Sequence, residues 1–397
     1  MTRSGARARL SVYDFLPMHI IVEIILGCDP LTRMTFVLCL SKRIRRSLLA
    51  EASLWQRLDV KARNNSARWN AITFSHISLV VNEAGFSRYL SLINKSFVRE
   101  FRVSSDDNDS LACCHIQQAL ESLPNLTCLH LELGDYADDG SVENLLTSAT
   151  ELPWVANLKK LQLRGLALAR STNGALMALA QSALSVESLC LPSELTTEPN
   201  MMRLADAWRA ALDGHPPRLA EFTADNDVDV HAWIGRVFPR LHTLHCGAHA
   251  RTSSIATLSH LRELHVSCYG QKSLPPKVLA DRLRALVMAC PSLEKFTLFG
   301  SVSGPKDILV DGVCCILPPS LKELFVIGCT LRVADFPRPL PVLMSAGFYW
   351  CRVDVPLHVF AARLRAMCPH LATIDSLDCG PDALGACHAK SPARERG

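Results

Sequence analysis

The sequence predicts a repeat protein of the α/β class, in which a short helical module precedes an irregular solenoid of stacked strand-and-helix units. Three observations lead to this prediction. A Leu-rich strand template returns at intervals of 19 to 33 residues, helical patterns fall between its copies, and the N-terminal region is helical instead. The 397 residues are 49% hydrophobic and 20% charged, which is enough apolar material for a packed interior.

Residues 12–60 contain the start and stop signals of three short helices. The basic segment before them, residues 1–11, is expected to be disordered. Pro17 suits a first helical turn, and Gly27 ends an apolar stripe with helical spacing. Asp29-Pro30 marks a second start and Ser41 a third. A module of about 45 residues is hardly stable alone, so its apolar first helix needs either a partner or the following repeats to cover it.

The same region resembles the F-box family in the order and spacing of its residues. The matching positions are Leu16-Pro17, Ile20, Glu23-Ile24-Ile25, Leu31, Val37, Ser41-Lys42-Arg43, Leu48, Leu54-Trp55 and Leu58. F-box modules dock on a Skp-type adaptor, which connects them to the cullin and RING subunits of a ubiquitin ligase. The resemblance implies adaptor contacts at Leu16, Pro17, Ile20, Ile24, Leu31 and Val37. The sequence departs from the family at Arg45-Arg46, where a Trp is frequent, so its third helix is more basic.

A leucine-rich solenoid is predicted for residues 61–379 from a template whose fullest form is Pro-x-Leu-x-x-Leu-x-Leu. The clear copies are at 124–131, 157–163, 185–191, 217–224, 239–246, 260–266, 291–298, 319–326 and 369–375, with a poorer one at 339–345 and weaker ones at 98–103 and 74–79. The leucines should point into a shared interior, while the intervening residues face outward on a parallel, concave sheet.

The convex side of the solenoid should be mostly helical. Helical spacing is found at 111–122, 141–150, 173–184, 200–213 and 278–290. Cys329 stands where an Asn would follow the strand, as in the cysteine-type repeats that are common behind F-boxes. The tail, residues 380–397, has no periodicity and is expected to be disordered.

Two groups of outward positions are candidates for binding a target protein. His245 and His265 occupy equivalent places in adjacent copies, so we expect them to be neighbours about 4.8 Å apart. No ligand pair has helical or zinc-finger spacing, so the histidines are interpreted as pH-sensitive polar contacts and no metal is expected.

The second group is apolar and contains Phe299, Phe325, Ile327 and Met344. Exposed apolar groups of this size often mark an interaction site. Two alternatives stay open: the register of the poor copy at 339–345 is misread, or the segment 348–350 and the tail cover the group.

Composition and motifs argue against several other functions. The sequence has none of the GxGxxG, GxxxxGK[ST], GxSxG or HExxH motifs, so we expect neither an enzyme nor a cofactor. The repeat region is neutral overall, which makes nucleic-acid binding unlikely. The 16 cysteines include no CxxC pair, which favours reduced thiols in the cytoplasm or nucleus. No uncharged apolar stretch is long enough for a membrane span.

Two functional hypotheses remain from the sequence. The first is a substrate-recognition subunit of a ubiquitin ligase built from a Skp-type adaptor, a cullin and a RING subunit, with an unknown target on the concave repeat face. The second is a non-catalytic interaction scaffold in which residues 12–60 only cap the solenoid. Binding to a Skp-type adaptor separates the two.

Overall fold

The computed structural model describes residues 18–27, 46–48, 56–62, 69–74, 77–81, 94–105, 113–132, 139–164, 170–215, 217–224, 230, 233–248, 258–268, 276–300, 317–331 and 339–377. Contacts divide the chain into a first unit, Met1–Val186, and a second unit, Glu187–Gly397. The predictions of disorder at 1–11 and 380–397 fall outside the described residues, as does most of the predicted second and third helices.

The first unit joins a parallel sheet to an antiparallel hairpin. Its helices are α1 (Met18–Gly27), α2 (Cys113–Ser122), α3 (Asp139–Thr150) and α4 (Arg170–Ser182). Its strands are β1 (Arg57–Ala62), β2 (Trp69–Phe74), β3 (Ile77–Val81), β4 (Glu100–Ser105), β5 (Cys128–Glu132) and β6 (Lys160–Arg164). The sheet order is β6-β5-β4-β1-β2-β3, with β6, β5, β4 and β1 parallel and β2 antiparallel to both neighbours.

Two features of this sheet differ from the sequence prediction. The proposed copy at 74–79 is wrong, because Phe74 ends β2 and Ile77–Leu79 belong to β3, and these two strands pair in antiparallel fashion. In addition, β1 begins at Arg57, inside the range assigned to the helical module, and pairs along its whole length with β4. The hairpin has no counterpart among the repeats, so the leucine template could not reveal it.

The second unit contains a parallel sheet in the order β16-β14-β12-β11-β10-β9-β8-β7. The strands are β7 (Ser188–Cys190), β8 (Glu221–Thr223), β9 (Thr243–Gly247), β10 (Glu263–Ser267), β11 (Lys295–Phe299), β12 (Glu323–Ile327), β13 (Thr330–Leu331), β14 (Ser345–Tyr349), β15 (Arg352–Val353) and β16 (Thr373–Leu377), of which β13 and β15 form a separate parallel pair. The helices are α5 (Glu198–Ala211), α6 (Ile234–Val237), α7 (Pro276–Met288) and α8 (Leu357–Met367).

Alternation along each strand explains why the leucine template folds in this way. On β10, for example, Leu264 and Val266 are buried, whereas Glu263, His265 and Ser267 are half-buried on the opposite side. The buried side chains pack with the apolar stripes of the helices to form the core. The five predicted helices correspond to α2, α3, α4, α5 and α7, each beginning within three residues of the predicted start. We call the opposite side of each sheet its open face.

A recurrent backbone arrangement sets the register between neighbouring repeats. Ten residues that directly precede a strand of the parallel sheets each use the carbonyl oxygen to accept hydrogen bonds from two consecutive N–H groups of the next repeat. The carbonyl of Arg262, for example, accepts from Glu294 and Lys295 at 2.7 and 2.9 Å. The same pattern occurs at the carbonyls of Gln56, Arg99, Thr127, Glu187, Ala220, His242, Glu294, Lys322 and Met344. We call these ten residues, together with Lys159, which directly precedes β6, the pre-strand row.

The predicted register of the poor copy at 339–345 is wrong by three residues. The strand is Ser345–Tyr349, and its partner for Phe325 is Gly347. The buried anchors are Leu343, Ala346 and Phe348, which follow the spacing of Leu321, Leu324 and Val326 in the preceding repeat. Because a small alanine stands where the template has leucine, the earlier pair Leu340 and Leu343 gives a better but incorrect match.

Aromatic side chains pack together in the core of the second unit. The Phe238 ring centroid lies 6.2 Å from that of Trp208 and 6.1 Å from that of Phe222, and Trp233 meets Phe222 edge-on. Phe348 of β14 contacts Phe360 of α8 in a T-shaped arrangement with ring centroids 5.1 Å apart. Such edge contacts add to the stabilisation from apolar burial.

Candidate functional site

On the open face of the second unit, residues at matching positions of adjacent parallel strands form rows that run across the sheet. The middle row runs Thr223, His245, His265, Thr297, Phe325, Gly347 and Asp375. The sequence prediction placed Met344 in this row, and the structure places Gly347 there instead. Met344 belongs to the pre-strand row, where its side chain is 52% exposed.

The two predicted histidines are direct neighbours, as expected. The rings of His245 and His265 are stacked, with centroids 4.1 Å apart and planes inclined by 2°. The Nε2 atom of His245 lies 3.6 Å from Glu221, and that of His265 lies 3.8 Å from Glu263. Burial lowers the pKa of His265, and Lys295 lowers it further, against the opposite effect of Glu263 and Glu221.

Phe299, Phe325 and Ile327 lie on the open face, and the structure adds Tyr349 to them. Phe299 pairs with Ile327, and Ile327 pairs with Tyr349, across three adjacent strands. All four side chains are half-buried, and we call them the apolar group. Phe348, by contrast, points into the core.

Gly347 allows the apolar group to pack closely. A Cβ atom there would lie 2.5 Å from Cδ1 of Phe325 and 2.8 Å from Cε2 of Tyr349, so the rings lie against bare backbone. On the other side of Phe325, the Lys295 ammonium lies 5.9 Å from the ring centroid. The sequence prediction missed Tyr349 because of the register error, and the buried spacing of Ala346 and Phe348 was the signal that could have identified it.

Charged side chains border the apolar group on the pre-strand side. Glu294 bridges Arg262 and Lys322, with 2.7 Å to the lysine, and Lys295 lies 3.3 Å from Glu323. The hydrogen bond from Lys322, helped by Arg262, lowers the pKa of the Glu294 carboxyl. An apolar centre with a charged rim is the arrangement found in protein–protein interfaces.

Two of the residues that the F-box resemblance assigns to adaptor binding lie in α1. Ile20 and Ile24 are half-buried at i, i+4 spacing, and Ile21 between them is buried. The other four, Leu16, Pro17, Leu31 and Val37, lie outside the described residues. Helix α1 ends at Gly27, as the sequence predicts.

The first unit has an open face of different character. Its strands and pre-strand row carry exposed or half-buried cations, which we call the basic face: Arg57, Arg99, Arg102, Lys159, Lys160 and Arg164. Sequence reasoning missed this surface because acidic residues elsewhere make the repeat region neutral on average. Counting charge only at outward positions would have revealed it.

Within the described part of the chain, no group of three or more His, Cys, Asp or Glu side chains could hold a metal ion. The described helices also include none with the length and apolar character of a membrane span. The eight cysteines whose side chains are described are free thiols, and all of them except the half-buried Cys128 are buried. Cys329 and Cys351 lie at equivalent positions after β12 and β14, and their Sγ atoms are 3.4 and 3.2 Å from the strand carbonyls of Ile327 and Val326.

No protein-family model and no curated protein matches this chain. Among solved structures, it is similar to the leucine-rich repeat-containing protein LegL7 from Legionella pneumophila, at 17% identity and a TM-score of 0.35, over 56% of this chain and 71% of that one. It is also similar to the Rad7 and Elc1 complex in yeast, at 13% identity and a TM-score of 0.31, over 74% and 73%. Both similarities are weak, so the α/β leucine-rich-repeat architecture rests on the strand register and burial of this chain itself.

Proposed function

We propose that this chain is the non-catalytic receptor subunit of a cullin-type ubiquitin ligase, in which residues 12–60 bind a Skp-type adaptor and the open face of the second unit binds a target protein. The observation that carries the proposal is the apolar group on the open face. It brings four large side chains together across three adjacent strands, bordered on the pre-strand side by charged residues. The receptor acts by proximity, because it holds the target close to the ubiquitin-charged enzyme that the complex supplies.

Adaptor binding is supported by the F-box-like motif and by α1. The helix leaves Ile20 and Ile24 partly exposed while Ile21 is buried, so one apolar stripe remains available on its surface. Contact with an apolar adaptor surface would remove these side chains from water.

Recovery of a purified Skp-type adaptor on the immobilised full chain tests this half of the proposal. We expect Ile20→Asp and Ile24→Asp to abolish recovery, while Glu23→Gln, a change at an exposed residue of the same helix, leaves it intact. If both aspartate variants retain the adaptor, residues 12–60 serve as a cap and the chain is an interaction scaffold.

Target binding is tested by proximity labelling in cells that contain the wild-type chain or the double variant Phe299→Asp, Phe325→Asp. We expect the variant to lose specific partners that the wild type labels, and to retain the adaptor. Met288→Asp is the matched control, since Met288 is 71% exposed on α7, away from the open face. An unchanged set of partners in the double variant would refute a role of the apolar group.

A further inference from the structure

The basic face of the first unit has a positive charge that the corresponding positions of the second unit do not share. Its six cations are accompanied by two carboxylates, Glu100 and Glu132, and Glu100 forms an ion pair with Arg102. The corresponding positions of the second unit have the reverse balance, with three cations, Arg262, Lys295 and Lys322, and six carboxylates, Glu187, Glu221, Glu263, Glu294, Glu323 and Asp375.

His130 lies in the middle row of this basic face, between Arg102 on β4 and Gln162 on β6. Its side chain is 15% exposed, and the Glu132 carboxylate is 3.8 Å from Nε2. Neither ring nitrogen has a hydrogen-bond partner among the described residues. Burial lowers the pKa of His130, and Arg164, Arg102 and Lys160 lower it further, against Glu132. Burial and the three nearby cations thus make this imidazole harder to protonate than a free one.

The spacing of the cations fits an extended peptide. Lys160, Gln162 and Arg164 are successive outward residues of β6, so neighbouring members stand about 6.6 Å apart. Side chains on one side of an extended peptide repeat at the same interval. A peptide lying along β6 could therefore place carboxylates near Lys160 and Arg164 and a third side chain near Gln162.

We propose that the basic face binds an acidic peptide segment. This inference rests on the proposed function, because the segment would belong to the target and add a second contact to that made by the apolar group. A peptide is favoured over a nucleic acid because the described outward positions of β4, β5 and β6 include no Phe, Tyr or Trp side chain on which bases could stack.

The test measures binding of a fluorescein-labelled octaglutamate peptide to the full chain by fluorescence anisotropy. We expect binding that weakens as salt rises, and about tenfold weaker binding by the double variant Lys160→Glu, Arg164→Glu. The matched control is Arg203→Glu, Arg363→Glu, which makes the same change in net charge at exposed helix positions and should bind like wild type. Lys160→Gln, Arg164→Gln is a milder pair that should weaken binding in the same direction.

A second readout follows His130 directly. Bound carboxylates should raise the pKa of His130, measured by NMR titration of its ring protons with and without octaglutamate, and His130→Gln identifies the signal. A purely structural role of the cations would leave this pKa unchanged on adding peptide.

Equal binding by wild type and the charge-reversed variant would overturn the proposal. So would tighter binding of an eight-residue oligothymidine than of octaglutamate, which would identify a nucleic-acid surface. Failure of the proposed function is distinguishable, because Phe299→Asp, Phe325→Asp should retain octaglutamate binding, and Lys160→Glu, Arg164→Glu should retain the adaptor.

Discussion

Replacement of Phe348 by alanine should be among the most destabilising single changes in the second unit. The side chain is fully buried, and its ring packs edge-on against Phe360. A buried aromatic residue removes roughly 150–250 Å² from water, which at about 25 cal/mol per Å² is about 4–6 kcal/mol. Alanine keeps part of this burial, but the edge contact is lost and a cavity remains. We therefore expect a loss of about 3–5 kcal/mol.

Urea unfolding followed by circular dichroism measures this loss, and Met344→Ala is its control. The same truncation at a side chain that is 52% exposed should change stability by less than about 0.5 kcal/mol. The pair also tests the register of β14, because only the strand Ser345–Tyr349 directs Phe348 inward. Comparable losses in the two variants would refute both the register and the packing argument.

Three further predictions concern single residues. Gly300→Ala should destabilise the protein by about 1–3 kcal/mol, because the new Cβ would collide with the backbone carbonyl oxygen of Gly328 and lie 2.7 Å from Cys329 Sγ. Gly174→Ala in α4, with open space around it, should stabilise the protein by about 0.5–1 kcal/mol, and thermal unfolding of both variants checks this. The pKa of His265 is lowered in the folded protein, so the unfolded chain binds the proton more readily and the free energy of unfolding should fall as pH drops below about 6.5. His265→Gln should reduce this dependence of stability on pH in urea titrations, and an unchanged dependence would contradict the prediction. Burial raises the pKa of the Cys290 thiol to about 12, so iodoacetamide at pH 8 should modify it only in urea, as peptide mass spectrometry would show.

Local pattern was sufficient for the parts of the fold that repeat. Leu264 and Val266 alternate with polar neighbours on β10, and α7 has an apolar stripe at helical spacing, so strand and helix could both be predicted without tertiary information. The antiparallel hairpin of β2 and β3 could not, since its pairing depends on the edge offered by β1. The short helix α6 was also missed, because its four residues are too few to show a period.

The candidate site depended on register more than on residue type. The adjacent positions of His245 and His265 followed from matching template places, since parallel strands at constant register bring equivalent residues together. Tyr349 was not predicted as a member of the apolar group, because Ala346 stands at a leucine anchor position and the predicted strand register was therefore three residues too early. The basic face of the first unit could not be predicted from the net charge of the repeat region, because a net charge does not show which side of a sheet the charged residues occupy.

The carbonyl hydrogen bonds of the pre-strand row align the repeats without using the outward side chains that would contact a partner. Each such carbonyl aligns the next repeat through two main-chain N–H groups, and neither bond depends on an outward side chain. The repeat strands from β4 to β16 start 20 to 33 residues apart, and strands at such unequal intervals can therefore pair in a constant register, with the variable lengths accommodated between strands. The outward positions are consequently open to substitution without loss of alignment, so binding specificity in such a chain can change through point mutations while the backbone stays the same.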